Sequence, residues 1–363
     1  MLSSCWKFLI VSVLVSTFFI GGLVEAFDSV AAESDKIPFL PEDDLSLIRD
    51  KIAANGYKFT VSSNWVVELS PERRTRMRSR RPSVRPRRES IFNGLGPLAS
   101  YLDHPLPDNF DWREVGNGLR YIGPVRDQGI CGACYAFGAC AAAEGAYNLV
   151  TNSYNESCAD FSEAFITFCL DSLYDGFDGC TGSDYEYEEL DALVQKGVCL
   201  EEYFPYSSIA GSCPLDASVP TVKFDSWHRL PCNDIVVIKS AIRYFGVVDV
   251  SVLTNPAFDA YQGGIYEDSM TLCRSVYNGI CYYADTDHVV ALVGWNDNGG
   301  DGYWILRNSW GSDWGEGGYM RIKYNAAHVT CAACYLVFTA DEKPVTPLEP
   351  AAIAPWLPLL LND

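Results

Sequence analysis

Residues 124–137 read PVRDQGICGACYAF, and this stretch decides how the chain is interpreted. It places Gln128 six residues before Cys134, with a second cysteine, Cys131, between them. The run that follows Cys134 is rich in alanine up to Leu149, so Cys134 is predicted to begin a helix of about four turns. A thiol in that position has a lowered pKa, because the unpaired N–H groups of a helix N-terminus favour the thiolate.

Two further polar side chains that can act together with this thiol follow downstream. His288 lies in the run DHVVA, and Asn308 lies in the run RNSWG. The intervening residues 296–302, NDNGGDG, predict a hairpin turn. If the turn centres near Gly299, paired residue numbers sum to about 598, which places Asn308 opposite Val290. An amide oxygen there can hold one ring nitrogen of the histidine and leave the other for the thiol.

These three stretches, in this order, resemble the active-site sequences of papain-like cysteine peptidases. The resemblance implies that Cys134 is the nucleophile, that His288 pairs with it and that Asn308 orients the ring. It also implies an oxyanion hole made of the Gln128 amide and the backbone N–H of Cys134. It extends over roughly residues 106–340 and implies an α+β, two-lobed fold, with a helical lobe, an antiparallel β-barrel-like lobe and the cleft between them.

Beyond residue 219 the sequence changes to short apolar runs separated by glycine and asparagine clusters, which are typical of strands and turns. The predicted strands are Val247–Leu253, Val289–Trp295, Tyr303–Leu306 and Tyr319–Ile322.

The resemblance also assigns substrate-binding residues. The cleft stretch usually written Gly-Cys-Asn-Gly-Gly is GCTGS here, so Gly182 and Ser183 are expected to pair with the substrate backbone. Leu336 and Val289 are expected to form the floor and wall of an apolar S2 pocket. Trp310 is expected to lie over the bond between the asparagine and the histidine and to shield it from water.

Two departures from the family pattern bear on the type of peptidase. Tyr135 replaces the usual tryptophan after the nucleophile, as in cathepsin C-like members, and keeps an aromatic surface there. The short run between Pro205 and Trp227 contains no histidine, so the occluding loop of cathepsin B is absent and a carboxydipeptidase is disfavoured.

Composition and charge narrow the compartment and the partners. The 14 cysteines and the sequon Asn155-Glu156-Ser157 fit the secretory pathway, ending in a lysosome, a vacuole or the exterior. Residues 1–100 carry 14 Lys and Arg against 11 Asp and Glu, whereas residues 101–363 carry 13 against 36. So acidic a domain excludes nucleic acid as a partner, because phosphate binding requires a basic surface.

The chain is predicted to have four parts. Residues 1–26 form a signal peptide, so no stable membrane insertion is expected after its removal. Residues 27–105 form a propeptide that inhibits the enzyme, with a helix at Pro41–Ala54 and Trp65 as an anchor. Residues 106–340 are the peptidase domain, and residues 341–363 are a proline-rich tail.

The propeptide includes an arginine-rich stretch at residues 73–88, which is predicted to be a disordered, cleavable linker. An electrostatic clamp and a basic tail for nucleic acid are the alternatives. Acidification is expected to weaken the attraction between the basic propeptide and the acidic domain. Residues 90–106 would then be exposed, and cleavage would follow Ala99 with Leu98 at P2.

Cysteine pairing is partly implied by the resemblance. Cys5 in the signal and Cys134 as nucleophile leave 12 cysteines, an even number for pairing. The implied disulfides are Cys131 with Cys180, Cys169 with Cys213, and one from Cys273 or Cys281 to Cys331 or Cys334. Four cysteines have no counterpart in the family: Cys140, Cys158, Cys199 and Cys232.

The sequence thus predicts a cysteine endopeptidase made as a zymogen, which acts on proteins or peptides and requires no metal or cofactor. Two alternatives keep the same fold, namely a catalytically silent binding protein and an aminodipeptidase of cathepsin C type. A zinc or redox protein built on the CxxC pairs at 131–134 and 331–334 is a third. Nearly 200 residues separate these pairs, whereas a zinc ribbon requires about 15 to 20.

Overall fold

The structure is a computed structural model. It describes residues 36–78, 94–171, 173, 178–183, 187–209, 211–214, 219–269, 276–277, 280–281, 286–300 and 302–340. The predicted signal peptide and the proline-rich tail lie outside the described residues. Residues 36–78 are called the N-terminal segment below, and residues 94–340 the main domain.

Seven α-helices are described. They are α1 (Leu45–Asn55), α2 (Pro71–Met77), α3 (Cys134–Thr151), α4 (Glu163–Cys169), α5 (Glu188–Gln195), α6 (Ile235–Phe245) and α7 (Pro256–Asp259). Among the described residues, none of these helices combines the length and the apolar character needed to cross a membrane.

The described strands form one large sheet and a small two-stranded ladder. They are β1 (Lys58–Val61), β2 (Asn109–Asp111), β3 (Ser226–Arg229), β4 (Val248–Val252), β5 (Tyr261–Tyr266), β6 (Val276–Tyr277), β7 (Ile280–Cys281), β8 (His288–Asn296), β9 (Tyr303–Arg307), β10 (Tyr319–Lys323) and β11 (Ala332–Val337). The large sheet has nine strands in the order β1-β5-β10-β9-β8-β4-β11-β3, with β2 paired to β8, and β6 pairs with β7.

The α+β class with a helical part and a sheet part is confirmed, but the sheet differs from the barrel that was expected. Its path through the described strands does not close, and β5 runs parallel to β10. One edge is occupied by β1, which belongs to the N-terminal segment, and the opposite edge is β3. The lobe is therefore an open mixed sheet whose edge is covered by the preceding segment of the same chain.

The predicted strands and their register are confirmed. β4, β8, β9 and β10 coincide with the predicted runs to within one residue at each end. Ala291 pairs with Arg307 and Leu292 with Leu306, so the paired numbers sum to the expected value. A bulge after Leu292 shifts the remaining pairs by one residue.

Helix α6 was not expected in the sheet part. Its first turn contains Ile235, Val236 and Val237, which are typical of strands. The side chain of Asp234 accepts a hydrogen bond from Val237 N at 3.1 Å, however, and caps a helix there. The helix buries Ile238 against the core. Capping and the burial of one helical face thus override the β-propensity of this run.

Helix α3 begins at Cys134 as predicted and packs closely against the sheet. A Cβ atom on Gly138 would lie 2.5 Å from Cγ1 of Val289 in β8, and one on Gly145 would lie 2.6 Å from the backbone nitrogen of Val247. Real Cβ atoms do not approach other atoms so closely, so the two glycines allow the helix to lie against the strands. This packing brings the start of α3 next to the start of β8.

The N-terminal segment extends the sheet and is folded. Strand β1 pairs antiparallel with β5, and the ring of Phe59 lies 4.9 Å from that of Tyr266. This is recognition by strand addition to a sheet edge, in which main-chain bonds supply affinity and side chains supply specificity. Trp65 Nε1 donates to the carbonyl oxygen of Trp310 at 3.0 Å, which confirms Trp65 as an anchor.

The arginine-rich stretch starts in a helix, which corrects the prediction of a disordered linker for Arg73–Met77. Ser70 caps α2 by accepting from Arg73 N at 3.4 Å, and Pro71 occupies the first turn. Arginine has a high helix propensity, so once a cap is present the composition favours a helix as much as a linker. Residues 79–88 of the stretch lie outside the described residues.

Part of the stretch before position 106 is packed, although Ala99 and Ser100, which flank the predicted cut, are exposed. Cleavage after Ala99 on acidification stays a prediction. Leu98 is fully buried, and its backbone N–H donates to the hydroxyl of Tyr335 at 3.3 Å. The same hydroxyl donates to the carbonyl oxygen of Leu95 at 2.5 Å, and the ring of Tyr101 stacks on that of Tyr244 at 4.7 Å. Residues 94–101 therefore pack against distant parts of the main domain through Leu98, Leu95 and Tyr101.

Two implied disulfides are present, Cys131–Cys180 and Cys169–Cys213. Cys331 is also disulfide-bonded, as is Cys232, which had no assigned role. The expectation that all 12 remaining cysteines pair is wrong, because the following cysteines keep their thiols: Cys140, Cys158 and Cys199. Cysteine packs well as a small hydrophobe. The zinc hypothesis is also excluded, because Cys131 is not available as a thiolate.

The packing of residues 94–101 favours their retention in the mature enzyme over cleavage after Ala99. Leu98→Ala should lower the unfolding free energy of the mature protein by about 2–5 kcal/mol through a core cavity. Ser100→Ala, at an exposed neighbouring position, should change it by less than about 0.5 kcal/mol. Thermal or denaturant unfolding of the two mature variants measures this. Equal stability, or a mature N-terminus beyond Leu98, would show that the segment is removed.

Candidate active site

Cys134 lies at the first position of α3 and is fully buried in this state. The residue before it, Ala133, makes no side-chain capping bond. The N-terminal end of the helix, with its N–H groups, therefore lies at the Cys134 side chain. The backbone N–H of Val289 donates to Sγ of Cys134 at 3.3 Å. Both effects favour the thiolate over the thiol. The sulfur therefore lies between the helical part and strand β8.

His288 and Asn308 meet as the hairpin register predicted. Nε2 of His288 lies 2.8 Å from Oδ1 of Asn308, and the backbone N–H of Ser309 donates to the same oxygen at 2.8 Å. An atom that receives a backbone N–H is the amide oxygen, so Nε2 carries the ring hydrogen. Nδ1 of His288 is buried and makes no hydrogen bond to the described residues. It is therefore the nitrogen left to exchange a proton with another group.

Trp310 covers this pair. Its ring stacks on the imidazole of His288 at a centroid distance of 4.7 Å and an angle of 27°. Trp310 is fully buried, and its ring also contacts those of Phe258 and Trp314 edge-on. The shielding that the sequence predicted is therefore present. Water is kept from the bond between His288 and Asn308 by a layer of aromatic side chains.

Gln128 is buried and its amide has one orientation. Its Oε1 accepts from the hydroxyl of Ser309 at 2.6 Å, and Nε2 donates to the carbonyl oxygen of Cys131 at 2.9 Å. Nε2 also donates at 2.7 Å to the carbonyl oxygen of Met77, in the N-terminal segment. Sequence reasoning missed Ser309, although its place between Asn308 and Trp310 was a signal. Its hydroxyl aims the Gln128 N–H₂ at the cleft.

The opposite wall of the cleft is the 3₁₀ turn Gly179–Thr181, which Cys180 joins to Cys131. The hydroxyl of Tyr135 donates to the carbonyl oxygen of Gly179 at 2.8 Å. The tyrosine found in place of tryptophan thus adds a hydrogen bond that ties this wall to α3. Gly182 accepts from Asp178 N at 2.9 Å and Ser183 is buried, so their pairing with substrate stays a prediction.

Val289 and Leu336 lie in the same buried apolar cluster as Cys134. Val289 follows the histidine on β8, and Leu336 is on β11. The two side chains that were predicted to line the S2 pocket therefore belong to the same buried cluster as Cys134. Their contact with substrate stays a prediction.

Two arginines of the N-terminal segment face an acidic pair beside the histidine. Arg78 forms an ion pair with Asp259 and lies 3.8 Å from Asp287, and Arg74 lies 3.5 Å from Asp259. The side chain of Asp259 is only 1% exposed. Burial raises the pKa of Asp259 while Arg78 and Arg74 act to lower it, and burial likewise raises the pKa of Asp287.

The histidine is electrically neutral in this state. Burial lowers the pKa of His288 to about 3. The hydrogen bond to Asn308 acts to raise it, and the guanidinium of Arg78 lowers it further. The predicted imidazolium therefore requires a change of surroundings.

A comparison with known families matches the model described as "Papain family cysteine protease" to residues 106–338. The chain belongs to the papain family of cysteine proteases. This confirms the resemblance stated from the sequence. The matched range contains every site residue described above except those of the N-terminal segment.

Individual relatives support the assignment. "Cysteine proteinase 1" of Entamoeba histolytica is 34% identical over 227 residues, which are 61% of this chain and 65% of that protein. "Cysteine proteinase 2" of the same organism is 31% identical over 269 residues, 73% of this chain and 76% of the relative. The "Cathepsin L-like proteinase" of Fasciola hepatica is 30% identical, with 62% of each chain covered. The chain spans less than two thirds of the length of the first and third.

Solved structures show the same fold. The digestive procathepsin L 3 of Tenebrio molitor larval midgut matches with a TM-score of 0.64 and 25% identity, covering 81% of this chain and 88% of that one. The cysteine protease CMS1MS2 of Carica candamarcensis, solved in complex with E-64, matches with a TM-score of 0.52 and 30% identity. That match covers 65% of this chain and 100% of the other.

The electrostatics of this papain-family site predict a neutral ring when the N-terminal segment is bound. In the Cys134→Ala full-length protein, the His288 ring should remain neutral at about pH 5, below the ordinary histidine pKa of about 6.5. Arg78→Gln removes a nearby positive charge and should raise the pKa of His288, whereas the exposed Arg76→Gln should change it little. Ring ¹H–¹⁵N NMR titration measures both. An unshifted titration near the ordinary value in the parent would contradict the prediction.

Proposed function

We propose that this chain is a cysteine endopeptidase made as a zymogen, with Cys134 as nucleophile, His288 as proton carrier and Asn308 as the residue that orients it. The observation that carries the proposal is the convergence of four side chains at one point of the fold. Oδ1 of Asn308 lies 2.8 Å from Nε2 of His288. Val289 follows His288 in the chain, and its backbone N–H donates to Sγ of Cys134 at 3.3 Å. Gln128 completes the group from the loop before α3.

The proposed reaction is acyl transfer in two steps. The thiolate of Cys134 attacks the carbonyl carbon of a peptide bond, and Nδ1–H of His288 donates a proton to the leaving amine. The carbonyl oxygen becomes negative and accepts hydrogen bonds from Nε2 of Gln128 and the backbone N–H of Cys134. Water then attacks the thioester and loses a proton to His288, so the acid product leaves and the thiolate of Cys134 and protonated His288 are regenerated.

The N-terminal segment supports the zymogen proposal, because it uses groups that the reaction needs. The carbonyl oxygen of Met77 accepts the hydrogen bond of Gln128 Nε2, which the oxyanion requires. Arg78 lowers the pKa of His288 and so disfavours the imidazolium. While the segment is bound, the oxyanion donor is occupied and the ring stays neutral.

Acid should favour release of the segment. The direction of this pH dependence follows from the pKa of His288 in the bound and released states. In the bound state its pKa is lowered to about 3, so the bound state carries fewer protons there. Release removes Arg78 and part of the burial, which raises the pKa. Between the ordinary value of about 6.5 and the bound value, each drop in pH therefore favours the released state. An acidic compartment of the secretory pathway fits this behaviour.

The residues around the sulfur support protein or peptide substrates with an apolar residue at P2. Val289 and Leu336 lie in one apolar cluster with Cys134. The backbone of Gly182 and Ser183 is proposed to pair with the extended substrate. The final location, whether lysosome, vacuole or exterior, is proposed from the disulfides and the composition rather than from the site.

Substitution of the catalytic residues tests the proposal. In the mature enzyme Cys134→Ala and His288→Ala should each lower kcat by roughly 10⁴-fold or more, because both act on the bond being broken. Asn308→Ala should retain measurable activity, since Asn308 only orients the ring. Hydrolysis of a quenched peptide and labelling by a thiol-directed epoxide measure these effects. Labelling of Cys158, the half-buried thiol, in place of Cys134 would contradict the assignment.

The bond from Ser309 to Gln128 provides a graded test of the oxyanion hole. Gln128→Ala should lower kcat by about 10²- to 10³-fold with little change in KM. Ser309→Ala leaves the amide in place but removes the bond that orients it, so kcat should fall by roughly tenfold. Ser312→Ala, at an exposed position of the same loop, is the matched control. A loss in Ser309→Ala as large as in Gln128→Ala would show that Ser309 acts otherwise.

A further inference from the structure

A buried carboxylate lies in the cleft where the catalytic proposal assigns it no role. Asp259 ends helix α7, and its side chain is 1% exposed. Its Oδ2 forms ion pairs with the guanidinium groups of Arg78 and Arg74. Its Oδ1 makes no hydrogen bond to the described residues. An ionised carboxyl group in such surroundings requires a positive partner, because burial penalises the charge. Asp287 lies on the other side of Arg78.

The position of Asp259 is rigid. The side chain of Asn255 caps α7 by accepting from the backbone N–H groups of Ala257 and Phe258 at 2.9 and 3.0 Å. The indole N–H of Trp314 donates to the backbone carbonyl oxygen of Asp259 at 3.1 Å. These bonds belong to the main domain and do not depend on the N-terminal segment. The carboxylate is therefore presented to the cleft by a fixed backbone.

Asp259 lies on the histidine side of the cleft. Phe258 packs on Trp310, which stacks on His288, and Asp287 precedes that histidine in the chain. The acyl half of a substrate is assigned to the opposite wall at Gly182. The amine that leaves receives its proton from His288, so the residues after the scissile bond extend along the wall that contains Asp259.

The N-terminal segment shows that two consecutive residues of one chain can reach both the Gln128 amide and Asp259. The carbonyl oxygen of Met77 occupies the hydrogen bond of Gln128 Nε2, and the side chain of the next residue, Arg78, reaches both Asp259 and Asp287. A substrate carbonyl at the same donor would be followed by a side chain within reach of the same carboxylates. When the segment leaves, the space filled by the two guanidinium groups is vacated beside Asp259.

We propose that Asp259, assisted by Asp287, forms an acidic pocket that selects substrates with arginine or lysine at the first or second position after the scissile bond. This inference rests on the proposed peptidase function and names a substrate class for it. The arginines of the N-terminal segment then occupy the pocket in the zymogen, and basic substrate side chains replace them in the mature enzyme. Asp259 acts as a specificity residue and takes no part in bond breaking.

The test uses the wild-type mature enzyme and quenched peptides that share leucine at P2. Arginine is compared with citrulline at each of the two positions after the scissile bond, because citrulline has nearly the same shape without the charge. We expect kcat/KM to be at least about tenfold higher for arginine at one of these positions, equivalent to about 1.4 kcal/mol. Equal values for arginine and citrulline at both positions, with both peptides cleaved, would overturn the inference.

Two variants test whether Asp259 causes the preference for arginine over citrulline. Asp259→Asn should reduce the ratio between the arginine and citrulline peptides to near one. Asp313→Asn removes the same charge at an exposed position before Trp314 and should keep the ratio. A ratio that survives in Asp259→Asn would show that other residues select the charge. If Asp259→Asn does not fold, the wild-type peptide pair still decides.

The outcomes separate the two proposals. A mature enzyme that cleaves no peptide of the set refutes the proposed function. Cleavage without a preference for the charged side chain refutes only the acidic pocket.

Discussion

The close packing of helix α3 against strand β8 is the constraint on which the rest of the structure depends. Gly138 and Gly145 leave room for the strands, since a Cβ on either would lie within about 2.6 Å of the sheet. The helix therefore presents Cys134 at the point where β8 begins with His288. Cys134 and His288, the proposed nucleophile and proton carrier, come from different halves of the fold, and this contact brings those halves together.

The hydrogen bonds around the site all derive from that placement. β9 returns beside β8 in a register that puts Asn308 at the ring of His288, and Trp310 then closes over both. Ser309 lies between these two residues and orients the Gln128 amide. One short stretch after β9 thus holds the histidine, shields it and aims the oxyanion donor. The buried polar groups of the site support each other in a single network.

The N-terminal segment occupies groups that the proposed reaction needs, so its presence and the proposed reaction exclude each other. It adds a strand to the sheet edge through β1 and then places Met77 and Arg78 over the site. The first contact supplies affinity from main-chain bonds that do not titrate. The second involves His288 and Asp259, whose ionisation depends on the segment being present.

Local sequence signals anticipated much of this arrangement. The start of α3 and the hairpin register agree with the local signals. The two disulfides and the contact of Trp65 agree with what the family resemblance implied. Two features were not anticipated, for different reasons. Nothing near Leu98 in the sequence indicated that it packs into the core under Tyr335, more than 200 residues away in the chain. Arg73–Met77 were predicted to be a linker, but Ser70 caps them as a helix.

The sequence by itself determined which chemical groups the site contains and how each is presented locally. A helix start and a hairpin register depend on neighbours along the chain, so their signals can be read within a few residues. Only the tertiary structure decided what covers the site and which charges face it. Met77 meets Gln128 across 51 residues, and Arg78 meets Asp259 across 181. Local sequence patterns do not predict such contacts, because the two residues are far apart in the chain and meet only in the folded structure.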